Sequence, residues 1–153
     1  MTNTTLFNTM IDKYNELSYT HQYIFGFTYK KKVYAVTATA DVLPYILKLD
    51  KASRGAGYAL RFKPTTDQKV FLLTQGAKVL CSERYFNMEV ENSRYNKGEI
   101  FEKIITENAG QEWHKDSVPF TVDGDVTINK VAYQIKYQSA TFTNEKTLAR
   151  LAK

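Results

Sequence analysis

Two acidic residues, a glutamine and a lysine lie within the stretch DGDVTINKVAYQIKYQ, residues 123–138. Asp125 precedes one strand-like run, and Gln134 and Lys136 lie on the next. Carboxylate and amide oxygens suit Mg²⁺ or Mn²⁺, and such a metal lowers the pKa of a water and polarises a phosphate diester. A lysine beside the water can position it and offset the charge on the phosphoryl oxygens. These residue types in this order fit a metal-dependent hydrolytic site, and they also fit an ordinary β-hairpin with polar side chains.

The spacing along the second run determines whether these side chains can cooperate. Successive side chains of a strand point to opposite faces, so Gln134 and Lys136 share one face while the apolar residues between them share the other. A hairpin around the Asn129–Lys130 turn would bring Asp125 near that pair. An ordinary solvated hairpin also alternates in this way, so the pattern by itself leaves both interpretations open.

Residues 94–153 predict a helix, three strands and a closing helix. In GEIFEKIITENAG, the apolar residues fall on one helical stripe and Gly110 can cap the end. The strands are predicted in EWHKDSVPFTV, DGDVTI and KVAYQIKYQSATF, and the closing helix in TNEKTLARLA. The polar stretch ENSRYNKG, residues 91–98, marks a boundary, so we expect one domain of residues 1–93 and another of residues 94–153.

This order of elements and residues resembles the PD-(D/E)XK nuclease superfamily over about residues 97–151. The resemblance implies a restriction-endonuclease-like αβββα core in the C-terminal half. Asp125 then corresponds to the metal-binding acid, Gln134 to the following acidic-or-amide position and Lys136 to the lysine. Glu99 corresponds to the helix glutamate of many members. The resemblance therefore implies that these four residues are catalytic, and that Mg²⁺ or Mn²⁺ is held by Asp125, Glu99 and Gln134.

The sequence departs from the family pattern at two positions. Asp125 lies in DGD and does not follow a proline, which makes Asp123 a competing metal ligand. Gln134 replaces the more usual acid before the lysine, a variation that the superfamily contains. One carboxylate and one amide make a weaker metal site. Either Glu99 completes the site, or the protein has the nuclease fold without catalytic activity.

Residues 1–93 predict an α/β lobe. TLFNTMIDKYNEL has helical spacing, and YIFGFTYKKKVYAVTATA predicts two strands around a lysine turn at residues 30–32. DVLPYILKLDKAS predicts a short helix, RGAGYALRF and KVFLLT predict strands, and AKVLCSERYFNMEV fits either type. The expected fold class is therefore α+β, with an N-terminal α/β lobe preceding the nuclease-like core.

The charge distribution favours a nucleic-acid partner. Residues 1–93 carry 12 Lys and Arg against 8 Asp and Glu, and residues 94–153 carry 9 against 8, which together make the net charge of +5. Basic side chains bind phosphates, and exposed aromatic rings stack on unpaired bases. The candidate nucleic-acid contacts are Lys30, Lys31, Lys32, Arg54, Arg61 and Lys63. The neighbouring aromatic residues also fit the core of strands, and the lysines also fit a solvated turn.

The remaining features narrow the cellular setting. No apolar run approaches the roughly 20 residues of a membrane span, and the first residues lack the pattern of a secretory signal. Cys81 is the single cysteine, so no internal disulfide is expected, and neither it nor His114 has the partners of a triad or a zinc site. We therefore expect a cytoplasmic protein. The richness in Lys, Asn, Tyr and Thr is typical of an AT-rich phage or mobile element.

These observations predict a small metal-dependent endonuclease, a hydrolase of nucleic acid, with DNA favoured over RNA and a homodimer possible. The alternative is a protein without turnover on a nuclease-like fold. It would be a phage inhibitor that binds a protein of a host defence system, or an accessory factor that binds nucleic acid or protein. A third interpretation is a purely structural domain whose Tyr-rich strands supply a contact surface.

Overall fold

The computed structural model describes residues 3–17, 22–39, 41–51, 58–113 and 126–142. Helices and strands are mixed along this part of the chain, which agrees with the predicted α+β class. The elements are α1 (Asn3–Leu17), β1 (Gln22–Tyr29), β2 (Lys32–Ala38), α2 (Leu43–Ile46), β3 (Leu47–Lys51), β4 (Tyr58–Phe62), α3 (Thr66–Thr74), β5 (Lys78–Ser82), α4 (Glu83–Glu91), α5 (Lys97–Asn108), β6 (Val126–Ile128), β7 (Val131–Tyr137) and β8 (Ala140–Phe142). Among these helices, none is both long enough and apolar enough to cross a membrane.

A five-stranded mixed sheet in the order β5-β2-β1-β7-β6 is the centre of the fold. β1 and β7 run parallel, with Tyr23 opposite Gln134 and Gly26 opposite Tyr137, while the other neighbouring strands are antiparallel. Because β1 and β7 point the same way, their carboxyl ends meet at one edge of the sheet.

The strands of this sheet come from both sides of the predicted domain boundary after residue 93. β1, β2 and β5 precede the boundary in the chain, and β6 and β7 follow it. α5, β6 and β7 correspond to the predicted helix and to the second and third of the three strands predicted after it. The run predicted as one long strand at residues 130–142 is instead broken by a turn after Tyr137, and its last part, β8, pairs with β4. The predicted closing helix at residues 143–152, and nearly all of the strand predicted at 112–122, lie outside the described residues.

A three-stranded antiparallel sheet, β3-β4-β8, packs with α1 and α2 on one face of the larger sheet. Helices α4 and α5 pack on the opposite face. The core on the side of the smaller sheet includes Met10, Tyr14, Phe25, Phe27, Leu60 and Phe62. The core under α4 and α5 includes Ile24, Phe86, Phe101, Ile105, Ile135 and Tyr137. The alternation of β1 therefore feeds both cores, while β7 contributes Ile135 and Tyr137 to the core under α4 and α5.

Helix α5 approaches the sheet closely at Gly26. The Phe101 ring stacks on the Tyr137 ring with their centroids 5.3 Å apart, next to the glycine that pairs with Tyr137. A Cβ atom built on Gly26 would lie 2.3 Å from Cζ of Phe101. The absence of a side chain at residue 26 is therefore what lets Phe101 and α5 reach the strands.

The prediction of a strand at KVFLLT is wrong, because these residues belong to helix α3. Thr65 and Gln68 form a capping box at the start of α3: Gln68 N donates to Thr65 Oγ1 at 3.2 Å, and Thr65 N donates to Gln68 Oε1 at 2.8 Å. In the ambiguous stretch that follows, strand β5 ends at Ser82, whose hydroxyl caps α4. The predicted short helix at residues 41–53 ends at Ile46 and continues as β3.

Both hairpins of the large sheet turn on two residues with positive φ. Lys30 and Lys31 have φ of 48° and 64°, and Asn129 and Lys130 have φ of 51° and 68°. This is the type I′ geometry that matches the twist of the strands. The predicted turns at these positions are confirmed.

Replacing Lys31 by glycine is expected to raise the free energy of unfolding by about 1 kcal/mol, since a side chain in the left-handed region is strained and glycine is not. The main-chain bond from Glu83 N to Lys31 O, 3.0 Å, would be kept. Urea denaturation measures the effect. The control is Lys32→Gly, one residue on in the β2 strand, which should destabilise the protein instead. If Lys31→Gly destabilises the protein as Lys32→Gly does, the left-handed conformation of Lys31 is not strained.

Candidate active site

A groove of about 630 Å³ lies between the first turns of α5 and the end of β7. The charged residues of its lining are Lys97, Glu99, Glu102 and Lys136. Its remaining lining is contributed by Asn96, Gly98, Ile135, Tyr137, Gln138, Ser139 and Ala140. The structure thus brings together Glu99 and Lys136, two of the predicted catalytic residues that are 37 positions apart in the chain.

Helix α5 presents both groove carboxylates from one side. Glu99 and Glu102 are three residues apart, so they are neighbours on the helix surface. The opposite side of α5 is fixed in the core by Phe101 and Ile105. The stack of Phe101 on Tyr137 ties the helix to β7, and this contact sets the position of the two carboxylates relative to Lys136.

Glu99 also has a structural role, because it closes the capping box of α5. Glu99 N donates to Asn96 Oδ1 at 2.9 Å, and Asn96 N donates to Glu99 Oε1 at 3.3 Å. A carboxylate offers about four acceptor positions, so one capping bond is compatible with a bound cation. Glu102 lies one turn further along, outside the capping box. Glu102 was not among the predicted site residues, although its spacing of three residues from Glu99 on a helix could have identified it.

Lys136 lines the groove, but Gln134 does not. Gln134 is only 1% exposed and lies opposite Tyr23 of β1. Among the described residues, β6 covers β7 only from Val131 to Tyr133, and the groove forms along the part of β7 beyond that pairing. Of the predicted metal ligands, Asp125 and its competitor Asp123 lie outside the described residues.

The end of β7 is tied to both sheets. Gln138 N donates to Gly26 O at 2.9 Å, and the Gln138 side chain accepts from Thr28 N at 3.0 Å. Ser139 N donates to Phe62 O of the smaller sheet. The Tyr137 hydroxyl is hydrogen-bonded to Thr28 Oγ1. Backbone bonds to two different strands therefore hold this wall of the groove in place.

Burial raises the pKa of the Tyr137 phenol, and the hydrogen bond with Thr28 opposes that rise only in part. Tyr137 consequently stays protonated at neutral pH. It can donate or accept a hydrogen bond, but it does not supply a negative charge to the groove.

The predicted basic contacts fall in separate places. Lys30 and Lys31 form the turn after β1, and Lys32 begins β2, at the sheet edge where β7 also ends. Arg61 and Lys63 belong to β4 and the segment after it, on the smaller sheet, and Arg61 Nε lies 3.9 Å from Asp50 Oδ2. Arg54 lies outside the described residues.

The donor set of the groove suits a hard cation. Glu99 and Glu102 supply carboxylate oxygens, the ligand type that Mg²⁺ and Mn²⁺ prefer. Within the described part of the chain, no three His, Cys, Asp or Glu side chains form a group that could hold a metal ion. A metal site here therefore needs at least one further ligand, or water, besides these two glutamates.

The chain was compared with protein-family models, with curated protein sequences and with solved structures, and none of them matched. What the groove can do is therefore judged from its chemistry. It combines two carboxylates, a lysine on a strand and the N-terminal turn of a twelve-residue helix.

Proposed function

We propose that this protein is a metal-dependent nuclease that hydrolyses phosphodiester bonds in the groove between α5 and β7. The observation that carries the proposal is that Glu99, Glu102 and Lys136 line one groove although they come from two separate elements. Carboxylates and an amino group in one groove provide a place for a cation and a separate positive charge for a phosphate.

The proposed chemistry divides among these side chains. Bound Mg²⁺ or Mn²⁺ supplies a Lewis acid that polarises the phosphate and lowers the pKa of water. In this proposal Glu99 and Glu102 hold that cation together with Asp125, while the buried Gln134 does not line the groove and is not among its ligands. Lys136 orients the attacking water and offsets the charge that develops on the phosphoryl oxygens.

The fold and the charge distribution support further parts of the proposal. The order α5, β6, β7, with Lys136 on β7, supports a PD-(D/E)XK-like core in the C-terminal half. The Lys30–Lys31 turn lies at the sheet edge where β7 ends. It is therefore suited to contact the phosphates of a nucleic-acid chain bound in the groove. We propose that the substrate is DNA, that a phage or mobile element encodes the protein, and that the protein acts in the cytoplasm.

Replacing Glu102 by glutamine is expected to lower the cleavage rate by about a hundredfold or more, because the neutral amide is a weaker ligand for a divalent cation. The assay follows supercoiled plasmid, labelled single-stranded DNA and single-stranded RNA, each with Mg²⁺, Mn²⁺ or EDTA. Glu107→Gln is the matched control, since Glu107 is exposed on the same helix outside the groove, and it should keep the wild-type rate.

Three outcomes would contradict the proposal: no cleavage of any substrate by the folded wild type, cleavage that persists in EDTA, or equal rates for Glu102→Gln and Glu107→Gln. The first outcome would favour the alternative of an inhibitor or accessory factor that binds without turnover. Pull-down from host extract would then be the next experiment.

A further inference from the structure

A second groove follows strand β3, which lies at the opposite edge of the smaller sheet from β8. We call it the β3 groove, and its volume is about 650 Å³. It is lined by Phe7 of α1, by Tyr58 and Lys48 of the sheet, and by Pro44, Lys63 and Pro64 of the flanking segments. This volume lies within the range of about 300–1,000 Å³ that is typical of small-ligand sites.

The charged side chains of the β3 groove are both cations. Lys48 is exposed over 65% of its side chain, and Lys63 is also exposed. Among the lining residues that the structure describes, there is no carboxylate. Lys48 of β3 lies opposite Arg61 of β4. The Asp50 carboxylate is shared between them: its Oδ1 lies 3.7 Å from Lys48 Nζ, and its Oδ2 lies 3.9 Å from Arg61 Nε. The described residues of β3 and β4, together with residue 63, carry four cations, Lys48, Lys51, Arg61 and Lys63, against the one carboxylate of Asp50. This edge of the smaller sheet is therefore positive, which suits an anionic ligand.

The lining also includes two aromatic rings, which pack partly against the core on the side of the smaller sheet. Phe7 and Tyr58 are half-buried and both line the groove. Positive charge that follows a backbone, together with rings on which bases stack, is the combination that binds single-stranded nucleic acid. A duplex stacks its bases internally, so the rings of the β3 groove favour unpaired nucleotides.

We propose that the β3 groove is a binding site for single-stranded nucleic acid. Lys48 and Lys63 contact phosphates, and the rings of Tyr58 and Phe7 stack on unpaired bases. The site goes beyond the proposed cleavage activity, because it contains none of the α5–β7 groove residues and does not need a metal.

The test is fluorescence anisotropy with labelled oligo(dT) of about 12 nucleotides, in EDTA, at KCl concentrations from about 50 to 200 mM. Because no metal is present, the result does not depend on whether the α5–β7 groove cleaves. The double variant Lys48→Gln/Lys63→Gln should bind more weakly, and its slope of log affinity against log salt should fall by about 1.4. Tyr58→Leu, which keeps an apolar side chain, should lower the affinity about fivefold or more.

The control variants make the same substitutions outside the β3 groove, so they remove two positive charges or one tyrosine ring there. They are Lys78→Gln/Lys130→Gln, two exposed lysines outside the β3 groove, and Tyr85→Leu on α4. Weak binding by folded wild type, or equal affinities for groove and control variants, would overturn the proposal. An equal loss of duplex and oligo(dT) affinity in Tyr58→Leu would overturn the stacking of unpaired bases. Thermal melting of each variant separates lost binding from lost folding.

Discussion

The Lys136→Ala variant is expected to cleave nucleic acid about a hundredfold to a thousandfold more slowly than the wild type, with its melting temperature little changed. Lys136 belongs to the lining of the groove that also includes Glu99 and Glu102, and in the proposed chemistry its amino group acts on a phosphate bound there. Alanine removes the positive charge and the hydrogen-bond donor but leaves the strand and both carboxylates. Single-turnover cleavage with saturating protein measures the chemical step without the contribution of binding.

Lys97 provides the matched control for this prediction. It lines the same groove but lies exposed on the first turn of α5. Lys97→Ala should weaken substrate affinity through lost phosphate attraction while the single-turnover rate stays near that of the wild type. If the two variants lose rate equally, or if Lys136→Ala cleaves normally, Lys136 has no catalytic role and the proposed chemistry is wrong.

The largest expected effect on stability comes from Gly26→Ala, which should lower the free energy of unfolding by about 3 kcal/mol or more. The added methyl group would lie 2.3 Å from the buried Phe101 ring, so either α5 or β1 must shift. Gly26 is not among the described glycines with positive φ, so alanine suits its backbone and the effect is one of packing alone. Urea denaturation followed by circular dichroism measures it.

Gly98→Ala makes the same chemical change where space is open. A Cβ atom there would meet only Asn96 Oδ1 at 3.4 Å, and the residue lies in the first turn of α5, so stability should be kept or slightly raised. The double variant Gly26→Ala/Phe101→Leu should recover part of the loss, because a smaller side chain makes room for the methyl group. Wild-type stability of Gly26→Ala would contradict the close approach of α5.

The elements that could be predicted are those whose evidence is local. The apolar stripe of residues 98–110 predicted α5, and the Asn129–Lys130 pair predicted the β6–β7 hairpin. The run KVFLLT was assigned to a strand from its apolar residues, although the capping box of Thr65 and Gln68 just before it starts a helix. The parallel pairing of β1 with β7 could not be predicted, since alternation shows which face a residue is on but not which strand lies beside it.

The same limit applies to the candidate site. Glu99 and Lys136 were proposed from the family resemblance, and the structure places both in one groove. Glu102 was overlooked because its role depends on where α5 packs, which the Phe101–Tyr137 stack determines. Gln134 shares a strand face with Lys136, yet burial against β1 leaves it out of the groove lining. Position on a strand face is therefore not enough to place a side chain in a site.

The parallel pairing of β1 with β7 also matters while the protein is being made. Thr28 and its hydrogen-bond partner Gln138 are separated by 110 residues, so these contacts have high contact order. At a synthesis rate of about 5–20 residues per second, β1 is synthesised about 5–20 s before β7. Until then the mainly apolar β1 is an uncovered strand edge, which invites pairing with other chains. The yield of folded protein from a nascent chain therefore depends on what protects β1 until β7 arrives.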